Sequence, residues 1–353
     1  MDIKCSKKHI KIYKMSLIVS NKHEEDGVMN FKVSGINLSI ANALRRTVLA
    51  DIQSICLENI NILMNDSCLN DEVLKQRISY IPVKILPEDE YKNFEISIDV
   101  QNNSDYEMLV TTENIKVFDK RNKENIDSST LFPPDETGNY IEIVKLKPVS
   151  NKCAEKIKLS CTLEITSYEK NSVNSVVCTS VFSRCVDYDN LLKIYKEKYN
   201  IPDSILIQED ESVLKRKLNY EDYQDCNIAE DFEFEFESIG SISNSYIIKK
   251  ALSILINRLV DLSDNITLRT FGTNIDINIL ENTYTIGNML LESIIDEKIL
   301  FKSLIINKDA NILRLGFGKT SSVYKIEDVK DKINNLIDII KDIDTKFSNY
   351  SEE

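Results

Sequence analysis

Three features of the chain carry residue types that could do chemistry on phosphate or a metal. The segment GFGKTSS (Gly316–Ser322) ends in the Gly-Lys-Thr of a phosphate-binding loop, where backbone N–H groups cradle phosphates and the Lys reaches them. That loop requires a glycine five residues before Gly318, and Leu313 stands there inside a strand pattern. The remaining backbone lacks the glycines a phosphate nest needs. In DFEFEFES (Asp231–Ser238) carboxylates recur at every second position; on a strand they line its solvated face more naturally than they cage a cation. Eight cysteines (5, 56, 68, 153, 161, 178, 185, 226) contain no C-x-x-C pair, and His9 and His23 are the only histidines. The expectation is reduced thiols, several at apolar strand positions, with no metal, no cofactor and no histidine-based catalytic site. The tyrosines lack a basic surround, so a stacking platform for single strands is unsupported.

A fourth feature is not catalytic. LSIANALRRTVL (Leu38–Leu49) reads as a helix capped by Asn37, with Ile40, Leu44 and Val48 on one stripe. Asn42, Arg45, Arg46 and Leu49 fall on the opposite face. Two arginines in mid-helix gain little from the helix dipole. Taken alone they read as a solvated face; arginine forks also suit carboxylates or carbonyls at an interface.

The chain that must position these residues has 353 of them and a net charge of -13. That balance opposes an extended nucleic-acid surface, which needs clustered Lys and Arg. No apolar run reaches the roughly 18 residues of a membrane span, and the basic start MDIKCSKKHIKIYK has no signal-peptide core. An intracellular protein without membrane contact is expected. The richness in Ile, Asn and Lys, with only 8 Gly and no Trp, reads as the bias of an A+T-rich genome.

Leu17–Val19 and Val28–Val33 predict a hairpin through Asp26-Gly27, followed by the arginine helix. LENINILM, FEISIDV, YIEIVKLK and IKLSCTLEI alternate as strands around polar connections in 102–140. Residues 188–229 are charged, with short helices expected. A strand over 231–238 precedes a long amphipathic helix near 243–262 that Ser243 could cap, and Asp264-Asn265 is expected to begin a connection. NIDINIL, TIGNMLLESII, LFKSLIIN and NILRLGF then predict strand, helix, strand and strand, the last two across a Lys308–Ala310 turn. A helical stripe over 326–347 ends the chain. Across this distance SIANAL (Ser39–Leu44) is echoed by TIGNML (Thr285–Leu290), each following an alternating strand, which suggests a duplicated unit.

Two long runs now become recognisable. Asn42-Ala43-Leu44-Arg45-Arg46, followed by Asn65, Ser67, Leu69, Asp71-Glu72-Val73-Leu74, Arg77 and Ile81-Pro82, resembles the assembly subunit of multisubunit RNA polymerases (bacterial alpha, archaeal D, the third-largest eukaryotic subunit). LENTYTIGNMLLESII is similar to the small partner subunit of that family, the archaeal L or eleventh eukaryotic subunit. The resemblance implies a natural fusion of the two partners, a feature of polymerases from some large cytoplasmic DNA viruses. It implies an α+β fold of two sheet-and-helix dimerisation units forming an intramolecular pseudo-dimer, with an inserted β-rich domain. Expected domains are 1–52 and 179–263 for the first unit, 53–178 for the insertion and 264–353 for the second unit. The resemblance assigns Asn42, Arg45, Arg46, Asp71, Glu72 and Arg77 to binding of the two largest subunits. The pseudo-dimer interface would comprise Ile40, Leu44, Val48, Ile286, Met289, Leu290, Ile333, Ile337 and Ile340. The implied role is a non-catalytic platform for DNA-directed RNA polymerase, also touching small accessory subunits, with DNA met only through the complex. Localisation would be host cytoplasm and virion for a viral chain, nucleus for a cellular one. The family's inserted-domain cysteine clusters are absent, and EKNSVNSVVCTSV lacks the His and Trp of the family's corresponding segment. The alternative is an independent nucleotide-dependent enzyme using GFGKT.

Overall fold

Asp26 and Gly27 both take positive φ, +49° and +79°, which matches a tight turn to the right-handed twist of its strands. They join β1 (Ile18–Glu25) to β2 (Val28–Ser34). The computed structural model describes residues 17–84, 91–135, 137–149, 154–201, 211–217, 227–271, 274–279, 284–294, 299–306, 311–317 and 325–350. Met29, Phe31 and Val33 alternate inward from β2. After it, α1 (Leu38–Ala50) starts at Asn37, whose Oδ1 accepts the Ile40 N–H at 2.9 Å.

The next stretch builds a second, separate core. It comprises β3 (Ser54–Asn65), α2 (Asp71–Ser79), β4 (Phe94–Gln101), β5 (Met108–Thr111), β6 (Lys116–Asp119), β7 (Glu124–Ile126), α3 (Ser128–Leu131), β8 (Glu142–Leu146) and β9 (Lys156–Thr166). The strands form an antiparallel sheet in the order β3-β9-β4-β6-β7, with β5 and β8 as a two-stranded ribbon. Alternation along β9 buries Ile157, Leu159, Cys161 and Leu163, which meet Leu74 and Ile78 of α2 in that core.

The chain returns to the first sheet with β10 (Val177–Val186). Two short helices, α4 (Tyr188–Lys198) and α5 (Glu211–Lys217), share a small cluster of Leu191, Tyr195 and Leu214. Then β11 (Asn227–Ser238) enters the middle of the sheet, giving the order β1-β2-β11-β10. Phe232, Phe234 and Phe236 are buried, while Glu233, Glu235 and Glu237 face solvent. The carboxylates therefore occupy the wet face, as alternation requires.

Helix α6 (Asn244–Asn265) is longer than its pattern suggested. Asp264 and Asn265 belong to its last turn, and the connection to the following strand narrows to Ile266. The Asn265 side chain donates to the Asp261 carbonyl, which lets a polar residue extend the helix. Ser243 holds the N-cap position with extended backbone, yet its side chain makes no capping bond.

The last unit contains β12 (Thr267–Phe271), β13 (Asn274–Ile279), α7 (Tyr284–Ser293), β14 (Ile299–Ile306), β15 (Asn311–Phe317) and α8 (Ile326–Asn349). Its sheet runs β12-β13-β15-β14, all antiparallel. Strand β12 was not legible, because it has five residues and its alternation breaks where Arg269 is followed by a second polar residue, Thr270. The Lys308–Ala310 turn and Gly318–Ser322 lie outside the described residues. The chain is thus α+β: two sheets carry four long helices, α1, α6, α7 and α8. One apolar core runs continuously from Phe31 and Phe234 through Leu44 and Leu255 to Ile277 and Leu315.

Candidate functional site

Helix α1 is two-sided. Ser39, Ile40, Ala41, Ala43, Leu44, Thr47 and Val48 are buried, whereas Asn42, Arg45 and Leu49 are half-buried and Arg46 is exposed. The Arg45 guanidinium forks onto its own neighbour: Nε and Nη2 lie 3.2 and 3.1 Å from Asn42 Oδ1. This i,i+3 contact holds Arg45 in place along the helix. Burial, then the Arg46 charge, lowers the Arg45 pKa, so a carboxylate brought to this face would relieve both. From below, the Ser180 hydroxyl donates to the Arg45 carbonyl at 3.2 Å and ties the helix to β10. The arrangement offers a clamped arginine beside an exposed one on a rigid element.

Behind this face sits the helix packing. Ile40, Leu44 and Val48 of α1, Ile286, Met289 and Leu290 of α7, and Ile333, Ile337 and Ile340 of α8 all belong to the one continuous core. All nine are buried; Ile337 is the most accessible at 7%. Helix α1 packs on α6 and α7, and α6 packs on α8. The C-terminus of α8 reaches across to the first sheet, where Phe347 meets Phe31 edge-on at 5.4 Å and Lys22 covers its ring at 4.5 Å.

Asp71, Glu72 and Arg77 stand elsewhere, on α2 above the second core. All three are exposed. Asp71 accepts from Asn65 Nδ2 at 2.8 Å, and Glu72 lies 3.6 Å from Lys75 Nζ. Arg77 Nη2 donates to the Glu142 carbonyl at 3.0 Å, joining α2 to β8. These residues share no core with the α1 trio.

Three relationships were not predicted from the sequence. Glu292 of α7 accepts the Ser39 N–H of α1 at 3.3 Å. Arg258 of α6 pairs with Asp51, the C-cap of α1, and Asn244 Nδ2 donates to Glu24 Oε1 at 2.9 Å. Only Glu292 left a trace, because it follows the second copy of the repeated hexapeptide. Among the described residues no three His, Cys, Asp or Glu converge as metal ligands, and no helix is long and apolar enough to cross a membrane.

Comparison with known proteins agrees with this architecture. A family model described as the RNA polymerase Rpb3/Rpb11 dimerisation domain matches residues 30–259. The rpac1 subunit of DNA-directed RNA polymerases I and III from Dictyostelium discoideum is 24% identical over 295 residues, covering 70% of this chain and 79% of that protein. Subunit Rpo3 of the RNA polymerase from Thermococcus kodakarensis is 40% identical over 55 residues, 16% of this chain and 21% of the relative. Human RPAC1 is 35% identical over 72 residues, 20% of this chain and 21% of the relative. The chain therefore spans most of the first relative and about a fifth of each of the other two.

Proposed function

The chain belongs to the RNA polymerase Rpb3/Rpb11 dimerisation-domain family, and from that premise we propose that it is a non-catalytic assembly subunit of a DNA-directed RNA polymerase. Its task is to gather the largest and second-largest subunits, which carry nucleotidyl transfer, while DNA is met only through the complex. The observation that carries this reading is the α1 face. Arg45 is clamped by Asn42 beside the exposed Arg46, and the opposite side of the helix is locked in the core. A clamped guanidinium beside an exposed one suits contact with carboxylates or carbonyls of a large partner. Asp71, Glu72 and Arg77 form a second contact on the insertion, and small accessory subunits complete the assembly.

The same reading makes the last unit a fused small partner, joined at the end of α6. The division into a first unit (1–52 and 179–263), an insertion (53–178) and a second unit follows from it. Such a fusion fits a large cytoplasmic DNA virus, with the complex in host cytoplasm and virion. Affinity purification from the native source tests the role: recovery in stoichiometric amount with two very large subunits is expected. Recovery of the chain alone would refute it. The rival nucleotide enzyme rests on Gly318–Thr320, and saturable ATP binding by the purified chain in the submillimolar range would favour that reading instead.

A further inference from the structure

The two sheets share one topology. The order β1-β2-β11-β10 of the first unit is matched by β12-β13-β15-β14 of the second, with all neighbours antiparallel. Their outer faces, opposite the side that joins the helix core, differ in the sign of their charge. On the first sheet the ion pair between the two central strands is Lys32 of β2 with Asp231 of β11, at 3.1 Å. On the second the carboxylate has changed strands: Asp276 of β13 accepts from Nε and Nη2 of Arg314 of β15, each at 2.8 Å. Strand β11 then adds exposed Glu233, Glu235 and Glu237, whereas the described outer positions of the second sheet hold no further carboxylate. Arg269 of β12 is exposed and stands directly opposite Asp276 on its other side. Asp276, only 3% exposed, is thus set between two arginines. Beside this row Ile305 of β14 lies opposite Ile312 of β15, and Ile305 is exposed.

We propose that the outer sheet face of the second unit is a docking surface for an acidic segment of a partner protein, whose carboxylates meet Arg269 and whose apolar side chains cover Ile305 and Ile312. Charge complementarity selects this occupant. The fork of Arg314 already supplies a donor to each oxygen of Asp276, so Arg269 adds a positive charge that the row does not balance. Its planar donors suit a carboxylate arriving from outside. In a chain of net charge -13, this face is where an acidic segment meets attraction instead of repulsion. Nucleic acid is poorly served, because two arginines are not the clustered cations that phosphate neutralisation needs. The glutamates of β11 repel the same segment from the corresponding face of the first sheet, so two faces of one topology discriminate between partners.

The inference holds whether or not the chain gathers the large subunits, and its test uses the full chain alone. The probe is a fluorescein-labelled peptide of alternating glutamate and leucine, with an alternating lysine–leucine peptide as its counterpart. Fluorescence anisotropy at low salt, where surface charges are least screened, reads the binding. Saturable binding of the glutamate–leucine peptide is expected. Arg269→Glu should weaken it by roughly tenfold or more, through loss of the attraction and gain of a like charge. Ile305→Asp should weaken it as well, while Glu235→Gln on the first sheet should leave it unchanged. Arg269 and Ile305 are exposed, so both variants should fold, and thermal unfolding at the parent's midpoint checks this. Absence of saturable binding, an affinity that Arg269→Glu leaves unaltered, or equal binding of the lysine–leucine peptide would overturn the proposal. So would dimers of the parent chain in size-exclusion chromatography that Arg269→Glu dissolves, because the occupant would then be a second copy. Failure of the platform reading would appear separately, as absence of the large subunits from purifications of the parent chain.

Discussion

Arg258 Nη1 lies 2.6 Å from Asp51 Oδ2, so α6 holds the C-cap of α1 through one charged contact. The side chains are 24% and 14% exposed, shielded enough for the contact to matter and open enough for water to soften it. Asp51 places a negative charge at the negative end of the α1 dipole, which is unfavourable without a cation. Arg258 supplies that cation. Together with Glu292 at the other end, it fixes the orientation of the helix that carries Arg45 and Arg46.

Removing the carboxylate takes from Arg258 its charged partner on α1. Breaking a fully buried pair costs about 3–5 kcal/mol, and the residual exposure here brings the expected loss for Asp51→Ala to roughly 1–3 kcal/mol. Urea denaturation measures it. An Asp51→Ala midpoint equal to that of the parent would mean that the pair does not anchor the helix.

Asn102 should be among the least replaceable polar residues of the inserted domain. It is 1% exposed, and its Nδ2 donates to the carbonyls of Tyr106, Leu146 and Lys147 at 2.8, 3.2 and 2.9 Å. Its Oδ1 accepts the Ser104 N–H and hydroxyl at 3.0 and 2.7 Å. Asn102→Ala strands several buried groups, each costing about 1–3 kcal/mol when unsatisfied. Asn102→Asp is expected to be worse, since a carboxylate has no N–H to replace the two that the three carbonyls share. Equal stability of the two variants would contradict this account of the network.

The thiols give a pH-dependent expectation. Burial raises Cys161 to about 12, and burial followed by the Glu58 charge raises Cys56 to about 11. Native alkylation at pH 8 should spare both and modify exposed Cys68. In the unfolded chain these thiols ionise near pH 9, below their folded values. Their contribution is thus fully present below about pH 9 and is lost as pH rises toward the folded values, by on the order of 1 kcal/mol per pH unit for each group. Rapid native labelling of Cys161 would refute the sign.

How much of this was legible depends on whether a feature is local. Asn37 as N-cap, the Asp26-Gly27 turn and the alternating Phe and Glu of β11 are decided within a few residues, and each could be read directly. The nine apolar residues assigned to the helix packing lie in one core because their period marks a buried stripe, although period alone does not say against what. Glu292, Arg258 and Asn244 were not legible. Each contacts a residue more than 200 positions away, and a polar residue on an amphipathic helix looks the same in sequence whether it meets water or a distant part of the chain. Ser243 shows the opposite error: a favourable capping residue whose side chain makes no capping bond.

The final prediction concerns the junction, which the structure moves to Ile266. Helix α6 ends at Asn265 and β12 begins at Thr267, so a cut between Asn265 and Ile266 severs no described sheet pairing. Covalent joining raises the effective concentration of one half near the other, to about millimolar for a short connection, without adding contacts. Fragments 1–265 and 266–353 should therefore bind each other when co-expressed. Alone, 266–353 would expose Met289, Leu290, Ile333 and Ile340, all fully buried in the whole chain, and should aggregate. Phe347 adds a checkable detail, because it is 1% exposed and packs on Phe31 of the other fragment. Phe347→Ala should weaken reassociation by roughly 3–5 kcal/mol, the usual range for emptying an aromatic site. Leu44→Asp or Leu290→Asp should abolish it, since each buries an unpaired charge. Co-purification of the tagged fragments, followed by titration calorimetry where both are soluble, reads these effects. A soluble, monomeric 266–353 with no affinity for 1–265 would mean that the shared core does not hold the units together.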